Sequence, residues 1–227
     1  MCILKVGGYM TVLREWRRFL GFSLIAIMFI LVSACAFAAD RVKYCYDGDT
    51  FILESGEKVR LAGIDTPEVG HNGERNQYYA QKSRQMLMDL VQGKNVQLQS
   101  VGASASYGRS VVEVLLQDGR SVNEILVREG AAYFYYHKDL PKSYAQKLLK
   151  AQNQAIKEKK GMWAGVLAKG KSQELFTGNR NSKRFFSQDC KELQSVSKKN
   201  YVPFKNLTEA FEAGFAPVRA CNIWPMD

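Results

Sequence analysis

Two short strings hold most of the side chains in this 227-residue sequence that could do chemistry together. Asp47-Gly48-Asp49-Thr50 reads as a turn between two strands, and 11 positions after Thr50 begins Leu61-Ala62-Gly63-Ile64-Asp65-Thr66-Pro67-Glu68, with Arg60 just before it. Carboxylates at the ends of neighbouring strands can converge on one hard cation, which takes oxygen ligands from Asp side chains and backbone carbonyls. Pro67 fixes the backbone after Thr66 and so can aim Glu68 into the same space. A carboxylate there can position or deprotonate a water. Arg60 and Arg109, the latter following a Tyr107-Gly108 turn, are a pair that could hold a phosphate by forked hydrogen bonds and stabilise the charge that builds up when water attacks phosphorus. Taken singly, each string is an ordinary polar turn or loop. Together they are the parts needed to hydrolyse a phosphodiester.

Several elements must position these residues. From Val42 to Leu116 the pattern is one of short β segments broken by turns, with candidate strands over Val42–Tyr46, Thr50–Leu53, Lys58–Ile64, Asn95–Ser100 and Ser110–Leu116. The first three form a meander whose turns contain Gly48 and Gly56, where glycine supplies a positive φ. Helices are expected over Tyr79–Val91, Val122–Arg128 and Lys142–Lys160, the last with Tyr144, Leu148, Ala151 and Ala155 along one face. Five strands with a helix between the third and fourth fit a small closed antiparallel barrel of the OB type, that is, a β-barrel with helices in the α+β class.

Composition sets the outer bounds. At 46% hydrophobic and 24% charged residues the chain can fill a core, and its two histidines, His71 and His137, exclude a histidine-rich metal site. Arg14, Arg17 and Arg18 precede an uncharged stretch from Phe19 to Ala39, which reads as an export signal over residues 1–39. Its end admits three readings. Ala36-Phe37-Ala38 suits ordinary signal cleavage, Val32-Ser33-Ala34-Cys35 resembles a lipobox with lipidation at Cys35, and the stretch at about 1.5 Å per residue is also long enough for an uncleaved membrane anchor. Each puts Asp40 onward outside the cytoplasm, in the periplasm, secreted, or anchored to the envelope. Setting aside those residues leaves about +7 of the +10 formal charge, so the exported part is drawn to polyanions such as nucleic acid.

The ordered set of motifs resembles the thermonuclease family, the calcium-dependent secreted nucleases typified by staphylococcal nuclease. The resemblance rests on Asp47-Gly48-Asp49-Thr50, Arg60 through Glu68, Tyr107-Gly108-Arg109, Val122-Asn123-Glu124-x-Leu126-Val127 and Gly161-Met162-Trp163, and it covers roughly Val42 to Ala164. It implies that Asp49, Asp65 and the Thr66 carbonyl hold Ca²⁺, with Asp47 reaching it through water. It also implies that Glu68 is the base or water-orienting group, that Arg60 and Arg109 contact the scissile phosphate, and that Tyr107 and Tyr136 belong to the substrate site. The implied reaction is hydrolysis of DNA and RNA to 3′-phosphates. Two departures stand out: Ala105 and Ser106 occupy positions where the family commonly has an acidic and a basic residue, and the loop from Val69 to Gly73 is slightly shorter. The alternative reading is a catalytically silent OB-type nucleic-acid-binding protein of the envelope, which would be free to lose Arg60, Glu68 and Arg109.

The organisation expected is therefore a nuclease-like domain over 40–165, a linker over 166–179 and a small α/β module over 180–227. The last segment resembles the small zinc module related to the Ada metal-binding domain, with Phe186 in place of a His ligand and Val218 in place of a Cys. Two remaining cysteines cannot make a closed four-ligand zinc site. In an exported protein Cys190 and Cys221 read as a disulfide, and Cys45 is left unpaired on the first strand.

Overall fold

The computed structural model describes residues 40–70, 73–102, 109–168, 174–221 and 223–224. Tyr107, Cys35 and the whole leader, residues 1–39, lie outside them. Five strands close into a barrel in the order β1 (Asp40–Cys45), β2 (Thr50–Leu53), β3 (Lys58–Leu61), β6 (Ser110–Leu115) and β5 (Asn95–Ser100). Apolar residues alternate into the barrel, with Val59 and Leu61 buried on β3 while Lys58 and Arg60 turn away from the core. That alternation is the period of two that a pleated strand imposes. One expectation needs correcting. The barrel is mixed, not antiparallel, because β3 and β6 run parallel, with Arg60 opposite Val111.

The strand expected over Lys58–Ile64 is broken. At Ala62-Gly63 the chain turns, with Gly63 at φ +71° and a Cβ there meeting Leu148 at 2.8 Å. It re-enters as β4 (Ile64–Asp65), which leaves the barrel to pair with β7 (Tyr133–Phe134). Only glycine combines that left-handed backbone with so close an approach. The turn is pinned by the helix α2 (Val122–Arg128), capped by the Ser121 side chain. Its fully buried Asn123 donates to the Ala62 and Val112 carbonyls and accepts from the Val114 N–H. Losing that side chain would orphan a buried N–H at a cost of about 1–3 kcal/mol. Tyr144, on α3 (Lys142–Lys157), also donates to the Ala62 carbonyl, at 3.2 Å. The remaining helix of this half, α1 (Ala80–Val91), buries Ala80, Leu87 and Val91.

After the short helix α4 (Trp163–Val166) the chain builds a second sheet in the order β10 (Tyr201–Phe204), β8 (Phe176–Asn179), β9 (Arg184–Ser187) and β11 (Ala216–Pro217). A helix, α5 (Leu207–Glu212), packs on it. The segment expected to be a linker thus ends in a strand, and the C-terminal part is not a separate body. Asp40 to Asp227 forms one compact unit. Phe211 of α5 packs edge-on against Trp163, Phe185 and Tyr133 at centroid distances of 4.8, 5.2 and 5.8 Å. Fully buried Gln152 on α3 joins the two halves, accepting from the Phe134 N–H and donating to the Phe211 carbonyl, each at 2.7 Å. Cys190 and Cys221 are joined in a disulfide with Cα atoms 5.7 Å apart. Cys45 is free and buried, and that burial pushes its thiol up to about 12, so it is a neutral core group rather than a nucleophile.

Candidate active site

The site is assembled where the β1–β2 turn meets the β3–β4 corner. Gly48 does not take the positive φ expected of it, whereas Gly56 does, at +90°. Gly48 is required for space instead, since a Cβ there would lie 2.8 Å from both the Ser83 Cβ and the Thr66 Cγ2. The close approach brings the turn down onto Thr66. Asp47 closes the turn by accepting the Asp49 N–H at 3.0 Å, and Asp49 itself is buried. The Asp49 carboxylate accepts from the Thr50 hydroxyl at 2.9 Å, from the Thr66 hydroxyl at 3.3 Å and from Arg60 Nη1.

Arg60 is the bridge. Its side chain is 13% exposed, and through Nη2 it also donates to Asp65 Oδ1 at 2.6 Å and to the Ile64 carbonyl at 3.2 Å. Break of the third strand at Gly63 is what puts Asp65 in reach. Asp65 is buried and accepts from the Tyr133 hydroxyl at 3.0 Å. Burial would raise its carboxyl, but the charges of Arg60 and Arg219 and the hydrogen bonds from Arg60 and Tyr133 outweigh it and hold Asp65 below its ordinary value. Tyr133 is pushed well above its usual range by burial and by Asp65, so its hydroxyl stays a neutral donor. Burial raises Asp47, against the Arg60 charge and hydrogen bonds from Thr50.

Glu68 sits three residues beyond Asp65, on a loop cinched by side-chain amides. Its N–H donates to Gln77 Oε1 at 2.8 Å and its carbonyl accepts the Gln77 N–H at 3.0 Å, while the Gly70 N–H donates to Asn76 Oδ1 at 3.0 Å. The backbone is fixed while the carboxylate stays 43% exposed and ion-pairs with Arg219 at 3.1 Å. Burial lifts Glu68 above its ordinary value, with Arg219 pulling the other way.

Arg109 directly precedes β6. Because β3 and β6 are parallel and Arg60 lies opposite Val111, the two-residue alternation puts Arg109 on the same face as Arg60, one repeat away. Tyr136 follows β7, half-buried against the barrel core, and its carbonyl accepts from Arg184 Nη2 at 3.1 Å. The neighbouring Tyr135 ring is covered by the Arg184 guanidinium at 3.4 Å from its centroid. Asp47, Asp49, Thr66, Arg60, Asp65 and Glu68 thus share one site.

Two participants were not expected. Tyr133 belongs to none of the sequence motifs, and its contact with Asp65 follows from the β4–β7 register. Arg219 reaches Asp65 Oδ1 at 3.0 Å and Glu68 Oε1 at 3.1 Å from 154 positions beyond Asp65. No local pattern links positions so far apart.

Among the described residues named here, Asp47, Asp49, Asp65 and Glu68 bring four negative charges, against two positive from Arg60 and Arg219. The formal residual of about −2, with oxygen donors from the carboxylates and from Thr66, is the charge and donor type that one divalent hard cation takes.

Residues 58–165 match the family described as staphylococcal nuclease homologue. An uncharacterized endonuclease of Haemophilus influenzae is 36% identical over 146 residues, which is 62% of this chain and 75% of that protein. The chain belongs to the staphylococcal nuclease homologue family. A second relative, the probable endonuclease LCL3 of Komagataella phaffii, is 33% identical over 110 residues, 46% of this chain. The match covers 48% of that relative, so the chain spans about half its length. The segment matched to the staphylococcal nuclease homologue family contains Arg60, Asp65, Glu68, Arg109 and Tyr133. Arg219 lies beyond it.

Proposed function

We propose that the protein is an exported, Ca²⁺-dependent nuclease that hydrolyses phosphodiester bonds in DNA and RNA. The observation that carries this reading is the convergence of Arg60, Asp65 and Glu68 in one site of a staphylococcal nuclease homologue. Asp49, Asp65 and Thr66 would hold the cation, with Asp47 behind them, and Ca²⁺ when bound would polarise a phosphate oxygen and offset its charge.

The chain's own residues do the rest. Glu68 takes a proton from the water whose oxygen bonds to phosphorus. Arg60 and Arg109 donate to the non-bridging oxygens and stabilise the charge that grows on them. The P–O5′ bond breaks, its oxygen takes a proton from solvent as a 5′-hydroxyl, and phosphate remains on the 3′ side. Export is supported by the Phe19–Ala39 stretch behind three arginines and by the Cys190–Cys221 disulfide, since such bonds persist in oxidising compartments.

Mass spectrometry of the fragments from a single-stranded oligonucleotide tests the bond assignment. The expected products carry 3′-phosphate and 5′-hydroxyl ends, and 5′-phosphate ends would reverse the assignment of the leaving oxygen.

A further inference from the structure

The C-terminal sheet does more than cover the barrel. Its last strand, β11, pairs with β9 and the next N–H, that of Val218, donates to the Phe185 carbonyl at 3.0 Å. Three residues later Cys221 is tied to Cys190 by the disulfide. Arg219 is therefore held from both sides, and it is the residue that lands on Asp65 and Glu68.

Only one corner of its guanidinium is spent there. Both ion pairs are made through Nη2, and 60% of the side chain is exposed. A small cleft opens beside it, lined by Glu68, Gln77, Tyr133, Arg219 and Trp224. We propose that Arg219 is a third phosphate-binding arginine of the active site, supplied by the C-terminal module and contacting the nucleic-acid backbone next to Glu68. The inference rests on the nuclease reading for its substrate.

Charge favours this role over a plug. The four carboxylates exceed Arg60 and Arg219 by two formal charges, so the charge balance leaves room for a divalent cation beside Arg219. A bound phosphate then meets guanidinium groups from two parts of the chain: Arg60 from β3 and Arg219 from beyond the family segment. A guanidinium suits this place because its several donors let it keep the carboxylates on one nitrogen and take phosphate oxygens on the others.

The test uses the full chain. In the Glu68→Gln background with Ca²⁺ present, the affinity for a short single-stranded DNA is measured by anisotropy over a series of salt concentrations, with and without Arg219→Ala. Loss of one phosphate contact is expected to weaken binding about 10- to 100-fold and to reduce the slope of log K against log salt by about 0.7. A merely structural role would not shift that slope. In the otherwise unaltered chain, Arg219→Ala is expected to lower kcat/KM by a similar factor, and Arg219→Lys to recover part of it as a point charge without the fork. Unchanged affinity and slope in Arg219→Ala overturn the proposal. The binding arm needs no turnover, so a chain that binds through Arg219 but does not cleave would refute the nuclease reading while leaving the phosphate contact standing.

Discussion

Glu68→Gln is expected to lower kcat on single-stranded DNA by about two to four orders of magnitude, the usual worth of a positioned general base. The substitution keeps the shape of the side chain and removes its charge, and with it the ability to take a proton. It should leave the fold intact for two reasons visible in the structure. The loop is held through the Glu68 backbone, by Gln77, and not through its carboxylate. The carboxylate is 43% exposed, and its ion pair with Arg219 is with a group 60% exposed, so the pair contributes little to stability. Steady-state rates alongside circular dichroism check both halves. Activity within tenfold of the unaltered protein would remove Glu68 from the base role.

The second large effect is expected at Asp49. It is buried, and it is the meeting point of Thr50, Thr66 and Arg60. Deleting one unit charge from a partly screened site is worth roughly 4 kcal/mol at close range, or about a thousandfold in affinity for a cation. Asp49→Ala should therefore abolish Ca²⁺ binding in calorimetry at millimolar cation and the Ca²⁺-dependent activity with it. Arg60 remains paired with Asp65 in that variant, so its charge is not stranded and the fold should survive. Retained Ca²⁺ binding by Asp49→Ala would show that the cation is held elsewhere.

How much of this was legible in the sequence differs by element. Strand alternation and helix periodicity located the barrel strands and the helices α1 and α3 to within a few residues, and α2 at both ends, because these are local patterns. Two features of the barrel were not local. The parallel β3–β6 pairing closes the barrel across the chain from Leu61 to Ser110, and nothing in either strand specifies the direction of its neighbour. The break at Gly63 was hidden because every residue from Leu61 to Pro67 is buried, so the run carries no alternation to lose. That break is what aims Asp65 at Arg60 and lets Tyr133 reach it.

The site showed the same division. Asp47, Asp49, Asp65, Thr66, Glu68 and Arg60 lie within 22 positions and come together as their motifs imply. Tyr133 enters by a strand pairing, and Arg219 by the packing of a whole C-terminal sheet. The cysteines near Arg219 were readable as a pair, yet their partner in space, the Glu68 loop, could be found only once Phe211, Trp163 and Gln152 had locked the two halves into one core. The segment from 166 to 179 looked like a linker since its apolar residues are sparse; β8 within it is held by sheet pairing to β9 and β10.

Cation dependence tests the central claim most directly. Purified protein is mixed with single-stranded DNA in Ca²⁺, then in chelator, then in chelator with Ca²⁺ restored in excess. Cleavage with Ca²⁺, none with chelator and recovery on restoration are the predicted results. Cleavage that persists in chelator, or a folded protein that binds the DNA and never cleaves it in Ca²⁺, would contradict the account.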